Sequence, residues 1–445
     1  MESRGKSLKA AAAPPQAVPA TPAGRTFTHL RWGMCGLLFF ATTINYIDRQ
    51  VIGLLKPVLE KDLGWHEADY GWIVFAFQAA YAAMMPLAGR FVDAMGVRLG
   101  YLIAVAVWSF AAMGHALATN AMEFGIARFA LGIGEAANFP AALKTVRHWF
   151  PVRERALATG LFNSGANIGA IVAPLAVPWL AVHAGWPSAF IVTGAAGFLW
   201  LILWWTFYKE PWNHPGLSDS ERALITESRE SSTTARTPWK VLLTSRMMWA
   251  YLIGKFLTDP VWWFYLFWLP GFLNRAYGLD LSSLGLPLVV IYQISTLGSV
   301  GGGWIPGALL RRGWSVNNAR KTAMLVCAVA VTSVVFISRT GGHLWLAVAL
   351  IGIGAAAHQG WSANIYNLPG DVFPGKDVAS VVGLGGMGGA IGGMLAAPAI
   401  GYWLDFSHDA YGPLFVAAGS MYLVALAVIQ VLVPHIDADR NGSAC

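Results

Sequence analysis

Six ionisable residues in this chain sit where charge is expensive. Asp48 and Arg49 lie in Ile44-Asn45-Tyr46-Ile47-Asp48-Arg49-Gln50, downstream of the apolar stretch Trp32 to Thr43. Arg128 and Glu135 lie in Ala127-Arg128-Phe129-Ala130-Leu131-Gly132-Ile133-Gly134-Glu135, and Lys255 and Asp259 in Lys255-Phe256-Leu257-Thr258-Asp259-Pro260-Val261-Trp262-Trp263. Each stretch belongs to an apolar run long enough to span a bilayer, where a charged side chain costs roughly 2.5–3.5 kcal/mol and needs a partner or a wet cavity. The chemistry on offer is ionic. An arginine presents a bidentate fork to a carboxylate and keeps its proton, whereas a buried acid holds a proton when unpaired and releases it when paired. A snorkelling pair at a helix end is the plainer reading of Asp48 and Arg49. The complementary charges elsewhere in the membrane favour a site.

Spacing refines this picture. Arg128 and Glu135 are seven apart and share one helix face, two turns from each other. At ~1.5 Å per residue, Asp48 stands about 24 Å above the start of its span, in a core of ~30 Å. From the other surface, Arg128 is roughly 10 Å deep and Glu135 roughly 21 Å. The expectation is a cluster of Asp48, Arg49 and Arg128, with Glu135 isolated on the other side of it. Structural ion pairs are the alternative. Lys255 and Asp259, four apart, either neutralise each other or meet a substrate. A later span carries His358, Gln359, Trp361, Ser362, Asn364, Tyr366 and Asn367, which need an aqueous cavity or partners. His358 by itself reads as a hydrogen-bonded structural residue. Tyr46, Gln78, Tyr81, Asn163 and Asn167 are weaker candidates of the same kind.

The elements that must position these groups are membrane helices. The chain has 445 residues, 56% hydrophobic and 12% charged, with a mean hydropathy of +0.52; soluble proteins carry about 25% charged residues. The 21 Trp and 49 Gly suit interfacial anchoring and close helix approach. Twelve apolar spans run roughly 32–55, 70–92, 99–118, 121–143, 156–181, 187–208, 247–273, 284–310, 318–338, 344–368, 378–402 and 411–434. Lys56-Pro57 is expected to stop the first helix. The fold class is therefore all-α and polytopic, with two six-helix bundles at 32–208 and 247–434. A polar loop, 209–246, joins them, and tails occupy 1–31 and 435–445. Outside the spans, only Lys56, Lys61, Arg275 and Arg339 fall on one side; the other basic residues fall in the tails and the opposite loops. The positive-inside rule then makes both termini cytoplasmic. Gly165-x3-Gly169-x4-Pro174 and Gly389-x3-Gly393-x4-Pro398 repeat one spacing in the fifth and eleventh spans, which supports duplication.

Other classes are disfavoured. The basic residues lie in short loops, which is no nucleic-acid signal. Cys35, Cys327 and Cys445 make no disulfide or metal framework. The scattered His residues offer no metal or nucleophile constellation for a membrane enzyme. Gly383-x-Gly385-x-x-Gly388 fits a dinucleotide pattern but lies in a span with no preceding strand. No ATP-hydrolysing motif is present, so transport would use an ion gradient or be passive.

The loop Gly89-Arg90-Phe91-Val92-Asp93-Ala94-Met95-Gly96-Val97-Arg98 resembles the G-x3-D-x2-G-x-R signature of the major facilitator superfamily. Asn45 to Arg49, Arg128 to Ala136 and Phe139-Pro140-Ala141 resemble its anion:cation symporter family. Asp48 to Pro57 and Lys255 to Phe264 are similar, more narrowly, to bacterial hexuronate transporters. The resemblance implies a bacterial inner-membrane protein that takes up an organic anion with a proton by alternating access, without a cofactor or metal and as a monomer. An aldonate, an aromatic carboxylate or passive transport are the alternatives. It implies proton coupling at Asp48 and Glu135 and anion contacts at Arg49 and Arg128. Tyr46, Tyr81, Asn163, Lys255, Asp259, Gln359, Trp361 and Asn364 complete the expected substrate set, and Gly89, Asp93, Gly96 and Arg98 the conformational loop.

Overall fold

The structure is a computed structural model, described here for residues 29–227, 238–373 and 375–436. The expected tails, 1–31 and 435–445, and the middle of the central loop lie largely outside those residues. Among the described residues every regular element is helical.

The first half begins with α1 (Leu30–Leu63) and α2 (Glu67–Gly114), followed by α3 (Ala121–Glu135) and α4 (Asn138–Trp149). Next come α5 (Val152–Asn163), α6 (Gly165–Ala184) and α7 (Trp186–Phe207). Short helices α8 (Asp219–Glu227) and α9 (Trp239–Leu242) lie in the connection. The second half comprises α10 (Arg246–Tyr277), α11 (Gly285–Arg311) and α12 (Val316–Val331), the last extended by a tighter turn over Thr332–Arg339. It ends with α13 (Leu344–Ile365), α14 (Leu368–Val372), α15 (Gly375–Phe406) and α16 (Gly412–Leu432).

Breaks reconcile these helices with twelve spans. Gly96 has φ 75° and ψ 156°, so α2 is two crossings joined at a sharp turn that a residue with a Cβ would resist. The fourth span divides at Ala136-Ala137, where Pro140 supplies no N–H for the carbonyl four residues back. The tenth divides at Tyr366-Asn367, just before Pro369, in the same manner. Among the described residues, eight helical stretches are long and apolar enough to cross a membrane; α1 and α10, with their buried charges, are not among them.

One expectation fails at Pro57. α1 continues through it to Leu63, and Lys56 is fully buried in the helix. Proline removes a single bond, and Lys56 holds the turn from the side by pairing with Glu60 and Glu67.

Glycine pairs with matching roles hold each half together. A Cβ on Gly169 of α6 would lie 2.7 Å from the Thr43 carbonyl of α1, and one on Gly393 of α15 would lie 2.7 Å from the Trp263 ring of α10. The repeated spacing in the sequence thus marks the same close approach, fifth span on first and eleventh on seventh.

The packing also says where the halves join. One buried core runs without a break from Val51, Leu55 and Leu59 of α1 to Leu266, Leu269 and Leu273 of α10. A second, around Trp108, Trp149, Trp200 and Trp204, belongs to the first half and takes in Leu217 from the connection. The halves are fused at the end holding Leu59 and Leu273 and part towards the end holding Trp149.

Candidate functional site

A cavity of about 2430 Å³ occupies the parting between the halves. It runs from Arg49 and Glu135 at its head to Lys144, Arg147 and Arg222 at its mouth, the end with the basic loops.

At the head, Arg49 donates from Nε and Nη2 to Glu135 Oε2, at 2.9 and 2.6 Å. Nη2 also reaches Asn45 Oδ1 at 3.4 Å. Its guanidinium carbon lies 5.0–5.3 Å from the centroids of Tyr46, Phe77, Tyr81 and Trp263. Three of these rings come from the first half and Trp263 from the second. The expectation that Glu135 stands apart from the cations is therefore corrected: it is the direct partner of Arg49. A span ending near Leu55 places Arg49 too close to that surface: α1 runs on to Leu63, so Arg49 lies about 21 Å from its end, level with Glu135 counted from the start of α3.

Asp48 and Arg128 occupy a dry layer behind the head. Asp48 is 2% exposed, with Thr193, Arg128 and Glu135 as its polar neighbours. Arg128 is 1% exposed and donates from Nη2 to the Arg49 carbonyl at 3.2 Å. Neither lines the cavity. Adjacent residues on a helix point about 100° apart, so Asp48 and Arg49 face different surroundings.

In the second half, Lys255 and Asp259 form a 2.8 Å ion pair on the cavity wall. Lys255 Nζ also donates to Tyr366 Oη at 2.8 Å. Asn163, Gln359 and Trp262 line the cavity as well. His358 stacks on Trp262 at 5.0 Å, and its Nδ1 lies 2.5 Å from Tyr422 Oη. Trp361 and Asn364 are not at the cavity, against expectation. Trp361 is fully buried against Tyr422, and Asn364 Nδ2 donates to the Gly302 and Gly360 carbonyls, pinning α13 to α11. The helical period separates them: positions 359, 362 and 366 form one stripe, 361, 364 and 365 another.

Near the mouth, Asp93 accepts from Lys144 Nζ at 2.7 Å, and Lys144 also caps the Val92 carbonyl at 3.2 Å. Gly89 lines the same wall. Arg98, beyond the Gly96 turn, lies 4.3 Å over the Trp205 ring and donates to the Trp205 carbonyl at 2.8 Å.

The end opposite the mouth is sealed by charges that went unassigned in the sequence. Lys56 pairs with Glu60 at 2.8 Å and with Glu67. Arg275 of α10 reaches Glu60 and Glu67 of the first half at 3.0 and 2.9 Å, and pairs with Asp409. Asp405 of α15 accepts from the Glu67 and Ala68 backbone N–H groups at 3.0 and 2.8 Å, capping the start of α2. The i,i+4 spacing of Lys56 and Glu60 was the one signal available; the rest needs the fold.

Two helical halves around a central, one-ended cavity with charge at its head are the architecture of a membrane transporter rather than of an enzyme. The chain belongs to the Major Facilitator Superfamily, whose model matches residues 38–368. It is 33% identical over 420 residues to a hexuronate transporter of Escherichia coli (strain K12), covering 93% of this chain and 96% of that one. It is 34% identical over 293 residues to a galacturonate transporter of Dickeya chrysanthemi, covering 65% and 84%. The fold matches the crystal structure of a D-xylose-proton symporter with a TM-score of 0.71 at 15% identity, over 91% of this chain and 98% of that one.

Proposed function

We propose that this protein is a proton-coupled symporter that takes up a sugar acid, in particular a hexuronate, across the bacterial inner membrane as a monomer with both termini cytoplasmic. On this reading the mouth with the basic loops faces the cytoplasm, and the conformation is inward-open. The observation that carries it is the ion pair of Arg49 and Glu135 at the cavity head.

A substrate carboxylate needs a cation, and among the cavity-lining cations Arg49 stands at the far end of the path with rings packed around it. Its fork is held by Glu135. While Glu135 is charged, an incoming carboxylate meets a like charge and a taken donor. Once Glu135 takes a proton, the fork is released to the substrate. Binding of acid and proton is thereby linked, and loss of the proton to the cytoplasm returns Arg49 to Glu135 and expels the substrate. Asp48, buried beside Thr193 and Arg128, is the second proton acceptor on this reading. The hydroxyls meet Tyr46, Tyr81, Asn163 and Gln359, and the ring face meets Trp263. The relatives' names point to the same substrate class.

The experiment is uptake of labelled galacturonate into right-side-out membrane vesicles, with and without an inward proton gradient. Accumulation should require the gradient and collapse with a protonophore. Equal accumulation on a sodium gradient alone would reject proton coupling, and no uptake of any sugar acid would reject the substrate class.

A further inference from the structure

The cavity wall of the second half exposes a carboxylate more than the cation paired with it. Lys255 and Asp259 stand one turn apart on α10, yet their side chains are 2% and 19% exposed. Lys255 is shared between Asp259 and Tyr366, whose ring it also covers at 4.0 Å. Gly389 of α15 clears the space: a Cβ there would overlap Asp259 Oδ2. Trp263 lies one turn beyond Asp259, about 6 Å along the helix axis, and its ring touches the Arg49 guanidinium. The cavity therefore offers a cation, then an aromatic face, then a carboxylate, in the order a single sugar acid would meet them.

We propose that Asp259 acts as a charge filter, admitting sugar acids with one carboxylate and rejecting those with a carboxylate at each end. This rests on the sugar-acid reading above. With its carboxylate on Arg49 and its ring on Trp263, a hexuronate brings hydroxyls to Asp259. A carboxylate is an acceptor only, and hydroxyl donors satisfy it. A second carboxylate brings a like charge and no proton to donate, so acceptor faces acceptor. Lys255 offsets this only in part, because its side chain is 2% exposed against 19% for Asp259 and its ammonium is held by Asp259 and Tyr366. Selectivity of this kind needs a repulsive element as well as an attractive one, and Asp259 supplies it.

The test uses purified protein in nanodiscs, so that no gradient is needed. Binding of galacturonate, of galactonate and of galactarate, the diacid on the same carbon skeleton, is measured by calorimetry. Wild type should favour galacturonate over galactarate by about tenfold or more. Asp259→Asn should narrow that ratio by about tenfold, with tighter galactarate binding, while Asp259→Glu keeps it. The double variant Lys255→Gln/Asp259→Asn leaves no buried cation unpaired and should narrow the ratio too, which covers a folding failure of the single variant. A wild type that binds galactarate as tightly as galacturonate overturns the filter, as does a ratio unchanged in the neutralised variants, while the sugar-acid reading stands. If none of the three acids binds to wild type, the sugar-acid reading itself has failed and the filter falls with it.

Discussion

Arg49 of α1 and Glu135 at the end of α3 meet at 2.6 Å, at the head of the cavity and beside a ring contributed by the opposite half. One side chain thus touches an acid, the cavity and the partner bundle. On the proposed reading, binding, protonation and bundle closure would all act on that one guanidinium.

Glu135→Gln should abolish accumulation while leaving exchange intact. The amide has nearly the shape of the protonated acid, so Arg49 stays available to substrate, but no proton is carried. Proteoliposomes preloaded with unlabelled galacturonate would report exchange, and an imposed proton gradient would report accumulation. Wild-type accumulation in the variant would remove Glu135 from coupling.

The two buried arginines should separate by phenotype. Arg49→Lys keeps a charge at the cavity head but loses the fork and the flat face stacked among the rings, so substrate affinity should fall at least tenfold, about 1.4 kcal/mol. Arg128→Lys alters a residue that bonds the Arg49 carbonyl from behind. It should lower thermal stability more than it weakens binding in this conformation. Comparable affinity losses, with unchanged melting of both variants, would place Arg128 at the substrate instead.

Neutral galactose should not displace labelled galacturonate. It leaves Arg49 with no anion in place of Glu135 and forfeits a charge-assisted bond. Glucuronate should compete well. Equal competition by galactose would undo the carboxylate anchor, and an aromatic acid that competes far better than either hexuronate would move the substrate class.

The parts of this architecture that follow local rules were legible in the chain. Gly96 in its motif marked a turn, the Gly169 and Gly393 spacings marked close helix pairs, and hydropathy marked the spans. The site was legible in residue type but not in partnership. Asp48 and Arg49 are neighbours in sequence and face different surroundings, whereas Arg49 and Glu135 are 86 residues apart and bonded. Such pairing depends on helix rotation and on how far α1 runs past Leu55, neither of which a depth count from hydropathy contains. Polarity at membrane depth does not distinguish Trp361 and Asn364 from the residues that line the cavity; the helical period does, and turns both into the second bundle.

Glu67→Gln should open the sealed end. Glu67 is 3% exposed, pairs with Lys56 and with Arg275 at 2.9 Å, and accepts from Trp268 Nε1 at 3.3 Å, Arg275 and Trp268 belonging to the other half. Removing its charge leaves Lys56, fully buried, to Glu60 alone. Breaking one partner of a buried pair costs roughly 3–5 kcal/mol where no water reaches it. In a carrier that cost need not unfold the protein, because separation of the halves at this end hydrates the stranded cations. The population should move towards the conformation open at the Leu59 end. A reporter at Val74, a 2% exposed position in the fused core, can read this in protein with Cys35, Cys327 and Cys445 replaced. Val74→Cys should react with a membrane-impermeant maleimide added from that side at least about tenfold faster in Glu67→Gln than with Glu67 present, a shift of about 1.4 kcal/mol. Saturating galacturonate should alter that rate if the cavity is shared by both conformations. An unchanged rate, in protein that still melts cooperatively, would mean that the apolar core from Val51 to Leu273 holds the end shut and that the charges only decorate it.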